Sequence, residues 1–466
     1  MSAFRCKPVP ERGDIDHVDD ANWPEMSDAI QWSPPRLHWM MKSRTCNSAD
    51  IVVAGGGPAG AITAILLRRA GASVILVDGN PRTPRFEGAG TRLVAALKAK
   101  HLTVEGLGPL LERKVKWGNL AETPNREHML SRPVFDDGLK TQAADEGVQV
   151  VSATIRHVRP RHLMLQEGQE VAGGLVFDAR GRRASASQGR LRGVPTVSIA
   201  GAVPGGEPGA QVTALTNGWS WRIDDGPRAW MQVTVDAALA GDPGTVWRRC
   251  TDSKPPTQLR VTGAELRLNA PVLNPDIPGL GDAAVAMDPL SGHGLFWALA
   301  SALMAPPIAK AILAGKPDLA TRFYGDRVIS TFHRQARVGR DFYRAAGLDG
   351  PFWEARRRWP DDEPAEPAAA VSPPHLEQRV VVRNGQLAET SVLVTAHEPE
   401  GVAFVDGIEI GPVLDRLGRG PLPGRAEFAT RILSNAPQRT AFRIHEWLSA
   451  RGISAKPGLQ TEEVRP

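Results

Sequence analysis

The segment Gly55-Gly56-Gly57-Pro58-Ala59-Gly60 stands between the apolar run Ile51-Val52-Val53-Ala54 and the run AITAILLRRAG. Glycines at that spacing carry chemistry only where a strand ends and a helix begins, which is the setting those two runs supply. Gly55 permits a tight turn, Gly57 lets the main chain approach a pyrophosphate, and Gly60 lets helix and strand pack closely. Pro58 and Ala59 open the helix, whose free N–H groups and partial positive charge face the phosphates. About twenty residues after such a turn an acid is expected to accept the ribose hydroxyls, and Asp78, followed by Gly79, ends the run ILVD there. A purely structural glycine turn would not need that acid. Residues 49–79 read as a βαβ unit that binds a dinucleotide.

Far downstream, Gly281-Asp282-Ala283-Ala284 leads into Asp288-Pro289-Leu290-Ser291-Gly292-His293-Gly294-Leu295. Domains that bind NAD have no such element. The two segments resemble the GD and DP-x-x-G-x-G segments of FAD-dependent aromatic hydroxylases, flavin-dependent halogenases and geranylgeranyl-reductase-like flavoproteins. The resemblance implies FAD, with Gly281 and Asp282 at the ribityl chain. Pro289 and the amides of Gly292, His293, Gly294 and Leu295, at a helix N-terminus, would face the isoalloxazine and stabilise negative charge on reduced flavin. The segment DARGRR, Asp178 to Arg183, resembles the family's DA-x-GR strand end. Arg132, in LSRPVFDDGL, resembles the arginine that starts the family's helix and contacts the cofactor. The segment RFEGAGTRLVAALK, which contains Arg92, resembles the loop that covers the flavin's dimethylbenzene side.

Three further segments narrow the resemblance. Gly218-Trp219-Ser220-Trp221-Arg222-Ile223 resembles the GWxWxIP motif of tryptophan halogenases, with Asp224 where proline is expected. DPLSGHGLFWALASAL, the stretch FYGDRV…FHRQARVGRDFYR and the C-terminal unit together most resemble the flavoproteins that mature tryptophylquinone cofactors, of the QhpG, LodB and GoxB type. The resemblance runs from residue 49 to about 455. It implies a monooxygenase that uses O2 to hydroxylate the indole of a tryptophan inside a small partner polypeptide, on the way to a quinone. The reductant would be NAD(P)H, docking transiently because no second dinucleotide fingerprint occurs, or a separate reductase. The rivals are a halogenase or hydroxylase of a small indole or phenol, and a partner-binding flavoprotein without catalysis.

Individual side chains each have a plain alternative. His293 could handle a proton, since imidazole titrates near neutrality, or could only position the turn. Glu87 could position substrate or face solvent. A halogenase presents a lysine that relays oxidised halide, and Lys114 and Lys116 (ERKVKWGN) are the candidates. Alternate residues on a strand share one face, usually the solvent face for lysine. Trp219, Trp221, Trp230 and Trp297 read as core or sheet packing before a substrate cage.

The 466 residues, 42% of them apolar, exceed what one core fills. The net charge of +5 is dispersed, which argues against nucleic acid. Cys6, Cys46 and Cys250 are too few and scattered for a disulfide framework or a metal site. The absence of an apolar leader or an uninterrupted run of eighteen apolar residues predicts a cytoplasmic protein without a membrane span. The expected class is α/β. A Rossmann-type FAD domain (48–194 and 269–350) carries an inserted antiparallel substrate sheet (195–268). An extension (1–47) precedes it, and a linker (360–374) joins it to a small α+β unit (375–455). Pro306 and Pro307 are expected to kink or break the apolar helix LFWALASALMAPPIAKAIL.

Overall fold

The computed structural model describes residues 47–458 except 80–82, 119–124, 185–189, 252, 270–273 and 366–372. The expected N-terminal extension, with Cys6 and Cys46, lies outside the described residues. Two compact units divide between Glu366 and Pro367. The larger is mixed α/β, as expected.

Its first layer is a six-stranded sheet in the spatial order Gln149–Val151, Val74–Val77, Asn47–Ala54, Glu170–Asp178, His162–Leu165, Ile155–Arg159. The first four strands run parallel. Ile51, Val52, Val53 and Ala54 are wholly buried, as strands covered on both faces must be. Two helices lie against this sheet, Pro58–Arg69 and the long apolar Gly294–Leu313.

Gly294–Leu313 is continuous through Pro306 and Pro307, which corrects the expected break. Each proline removes a helical hydrogen bond at a cost of about 3 kcal/mol. Nearly every side chain from Leu295 to Ala311 is buried, and that packing offsets the loss. The same helix is long and apolar enough to cross a membrane, but 83% of its most apolar window is buried inside the protein.

The second layer is an eight-stranded sheet, wider than the segment 195–268. From one edge it runs Arg260–Gly263, Thr196–Val203, Ala229–Asp236, Gly218–Asp224, Gly209–Leu215, Leu107–Lys116, Asn125–Ser131, Phe86–Gly90. Its last three strands come from the chain before residue 132, and they join through a parallel pairing of Ala210–Thr213 with Arg113–Lys116. The segment around Glu87, expected as a loop, is thus an edge strand followed by the helix Thr91–Ala99.

The smaller unit contains the hairpin His375–Arg383 and Gln386–Val394, and the helices Ile410–Leu417 and Gln438–Ala450. They enclose a core of Leu393, Ile410, Leu414, Phe428, Ile444 and Leu448. It also holds a cavity of about 590 Å3 lined in part by Leu376, Gln378, Asp415, Arg419 and Lys456.

Candidate functional site

The glycine turn divides its labour unevenly. Gly55 has φ +106, and a Cβ there would stand 2.6 Å from the Ala179 carbonyl oxygen. A Cβ on Gly60 would stand 1.9 Å from the Gly55 carbonyl oxygen. Both glycines are demanded by protein packing alone. A Cβ on Gly57 would meet nothing within 4 Å, and the same holds for Gly292 and Gly294. Those positions border open space although neighbouring Leu295 and Ala59 are buried. Main chain left bare beside buried neighbours leaves room for a ligand that the backbone must approach, so these residues fit a dinucleotide such as FAD.

The chain's distant segments converge on the glycine turn. Asp78 follows the strand Val74–Val77, bonded through its main-chain N–H to the Val151 carbonyl, with Lys140 Nζ 3.7 Å from its Oδ2. Gly79 abuts the Ala153 main chain, 2.4 Å from where a Cβ would stand. Asp178, at the end of its strand, receives Leu280 N–H on its carbonyl and donates its own N–H to Pro278, both across 2.9 Å. That pairing brings Gly281 and Asp282 to the sheet. Gly281 is then gripped by the apolar helix: its N–H donates to Ser301 Oγ across 2.9 Å, and Trp297 Nε1 donates to its carbonyl across 3.1 Å. A Cβ on Gly281 would stand 2.7 Å from that of Ala59, which seats the downstream segment on the glycine turn.

Asp282 keeps 39% of its side-chain exposure, with Arg182 Nε 3.9 Å away. Burial of its surroundings raises its carboxyl, against the pull of Arg182. Pro289 lies in a short turn whose Asp288 side chain accepts the Leu290 N–H across 2.9 Å. That turn ends at Gly292, in the left-handed conformation at φ +64. His293 caps the helix that Gly294 and Leu295 begin. Arg92 lies 5.6 Å from the Phe296 ring centroid, at the start of the helix Thr91–Ala99.

Glu87 and Arg132 form one half-buried ionic group with Arg85 and Asp136. Arg132 opens the helix Arg132–Asp145 and donates Nη1 to Glu87 across 2.7 Å and Nε to Asp136 across 3.1 Å. Arg85 also pairs with Glu87. Burial alone would raise the Glu87 carboxyl, but Arg132 and Arg85 outweigh it and hold the group below its usual range. An ionised carboxylate between two guanidinium groups orients them; it is a poor proton donor. Asp136 escaped the sequence reading, although its place four residues after Arg132 on a helix was a usable signal.

The eight-stranded sheet has one face toward the turn at Leu290. Trp219, Trp221, Val115, Val212 and Ala214 share that face and pack in one cluster with Leu290 and Tyr343. Trp219 and Trp230 are buried. Trp221 donates Nε1 to Glu127 Oε1 across 2.9 Å, and Arg113 pairs with Glu127 Oε2 at 3.2 Å. Glu127 also escaped the sequence reading; nothing in NREHMLS distinguishes it. Lys114 and Lys116 are exposed and pair with Gln211 and Thr213, on the face opposite Val115 and Trp221. Among the described residues no group of His, Cys, Asp and Glu could hold a metal ion.

Comparison with known proteins gives the arrangement a context. The lycopene cyclase protein family model matches residues 50–199. The structure of a peptidyl tryptophan dihydroxylase, QhpG, essential for tryptophylquinone cofactor biogenesis, superposes with a TM-score of 0.73 at 32% identity, covering 87% of this chain and 99% of that one. CmlS, a flavin-dependent halogenase, superposes at 0.64 with 15% identity, covering 90% and 99%. A menaquinone reductase of Mycobacterium tuberculosis is 29% identical over 160 residues, a match spanning 29% of this chain and 38% of the length of that relative.

Proposed function

Because the chain belongs to the flavoprotein family of the peptidyl tryptophan dihydroxylase QhpG, we propose that it hydroxylates the indole of a tryptophan held in a partner polypeptide, during maturation of a tryptophylquinone cofactor. The chain is an FAD-dependent oxidoreductase, and FAD, when bound, supplies the reductive activation of O2. In this reading the Gly55–Gly60 turn, Asp78 and Asp282 bind the cofactor. Arg132 and Glu87 brace its flank. The amides of Gly292 to Leu295 favour an anionic reduced ring. The aromatic sheet face of Trp219 and Trp221 excludes water, and His293 sits where a proton can be taken up.

The observation that carries the reading is 32% identity sustained over 99% of the QhpG chain. The outward direction of Lys114 and Lys116 supports hydroxylation over halide relay, and the cavity in the C-terminal unit supports a polypeptide substrate with contacts remote from the indole. A cytoplasmic, reducing compartment fits the same reading. The test is mass spectrometry of tryptophan-bearing polypeptides encoded beside this chain, after incubation with enzyme, FAD, reductant and O2, with and without bromide. Gain of oxygen on one tryptophan is expected. Bromination, or faster turnover of free tryptophan, would overturn the proposal.

A further inference from the structure

The strands Arg190–Arg192 and Arg267–Asn269 pair antiparallel, with Arg190 opposite Asn269 and Arg192 opposite Arg267. Opposed residues share a face, as do alternate residues along a strand. Arg190, Arg192, Arg267 and Asn269 therefore lie side by side on one face of this small sheet. Like charges directly opposed are destabilising, and Arg267 is only 6% exposed. Among the described residues no carboxylate forms an ion pair with Arg190, Arg192 or Arg267.

Their hydrogen bonds go to main-chain carbonyls: Arg267 Nη2 to Arg182 across 2.8 Å, and Arg190 Nη2 to Ala184 across 2.6 Å. Nε of Arg190, Nε of Arg267 and Oδ1 of Asn269 are buried without a partner. Burial, then Arg182 and Arg190, push the Arg267 guanidinium below its usual range, and Glu265 offsets this only in part. Arg182 adjoins the group through its carbonyl, while its guanidinium donates to the Glu265 and Met287 carbonyls and faces Asp282. Desolvated cations with orphaned donors cost stability unless an anion satisfies them.

We propose that Arg190, Arg192 and Arg267 form a binding site for a phosphate or pyrophosphate group. Planar guanidinium groups match phosphate oxygens in pairs. A nicotinamide dinucleotide reductant and a free phosphate compound both carry this chemistry.

The test is calorimetric titration of the FAD-loaded, full-length enzyme at low salt with inorganic pyrophosphate, NADPH and NADH, for the native protein, Arg192→Glu and the double variant Arg190→Gln, Arg192→Gln. Saturable pyrophosphate binding, weakened tenfold or more in both variants while flavin content is unchanged, is expected. NADPH that binds more tightly than NADH, competes with pyrophosphate and weakens in the variants would assign the site to the dinucleotide's 2′-phosphate. Pyrophosphate binding without NADPH competition would assign it to free phosphate compounds. Equal affinity in native and variant proteins, or no saturable binding of any probe, would overturn the proposal. Arg192 is exposed, so Arg192→Glu tests the site without burdening the core.

Discussion

The Tyr343 hydroxyl donates to Oδ2 of Asp288 across 3.1 Å, so the helix Pro317–Ala345 holds the turn that precedes Gly292–Leu295. Tyr343 is buried and Asp288 half-buried, and desolvation raises the pKa of each. Tyr343→Phe keeps the packing against Trp117, Phe352 and Trp353 but removes the donor. Losing one such bond costs about 1 kcal/mol, so FAD affinity should fall roughly fivefold with little change in fold. Fluorescence titration of the apoprotein measures it; an unchanged dissociation constant would show that this tyrosine does not act on FAD binding through the Gly292–Leu295 turn.

Glu87 gives a pH signature. Its folded-state pKa lies below the unfolded value of 4.5, so its contribution to stability is complete above that value and is lost as pH falls through the folded pKa. Glu87→Gln should lower stability at pH 7 by about 2 kcal/mol, below the usual figure for a broken buried pair because the side chain is 31% exposed. The gap between native and variant melting temperatures should close as the pH drops below about 4.5. A gap that persists in acid would mean the carboxylate is not what Arg132 depends on.

The glycines separate folding from binding. Gly60→Ala places a methyl group against the Gly55 carbonyl and should yield little folded protein. Gly57→Val has free space around its first carbon and should fold, yet lose FAD affinity tenfold or more, about 1.4 kcal/mol. Circular dichroism and flavin absorbance read the two effects apart, and a stably yellow Gly57→Val protein would displace the cofactor from this turn.

Lys114→Ala combined with Lys116→Ala removes two exposed cations from the outward sheet face and should change stability by no more than about 0.5 kcal/mol. Product formation by the flavin-loaded enzyme should be largely retained. Near-complete loss with flavin still bound would favour a relay lysine.

Glu127→Ala should strand Arg113 and the Trp221 indole N–H on the inner sheet face, at a cost of about 3 kcal/mol, whereas Glu127→Gln keeps an acceptor for Trp221. Urea denaturation compares them. Equal stability of the two variants would deny the carboxylate its place in that group.

Legible from the chain alone were the features governed by neighbours in sequence. The turn at Gly55–Gly60, the acid at Asp78, the helix start at Arg132 and the DPLSGHGL turn each depend on backbone conformation and helix ends, which a few adjacent residues specify. The order of motifs from Gly55 to Leu295 also carried the resemblance to FAD enzymes. Tertiary structure decided what depends on partners distant in the chain. Period-two alternation marks a strand but not its neighbour, so only the fold joined Phe86–Gly90, Leu107–Lys116 and Asn125–Ser131 to the later strands. It turned Glu127 inward and Lys114 outward, because facing is set by register. It kept Gly294–Leu313 whole through two prolines, because packing of the surrounding core outweighs a local penalty that sequence displays and burial does not. And it put Arg192 opposite Arg267, a juxtaposition of segments that no local pattern encodes.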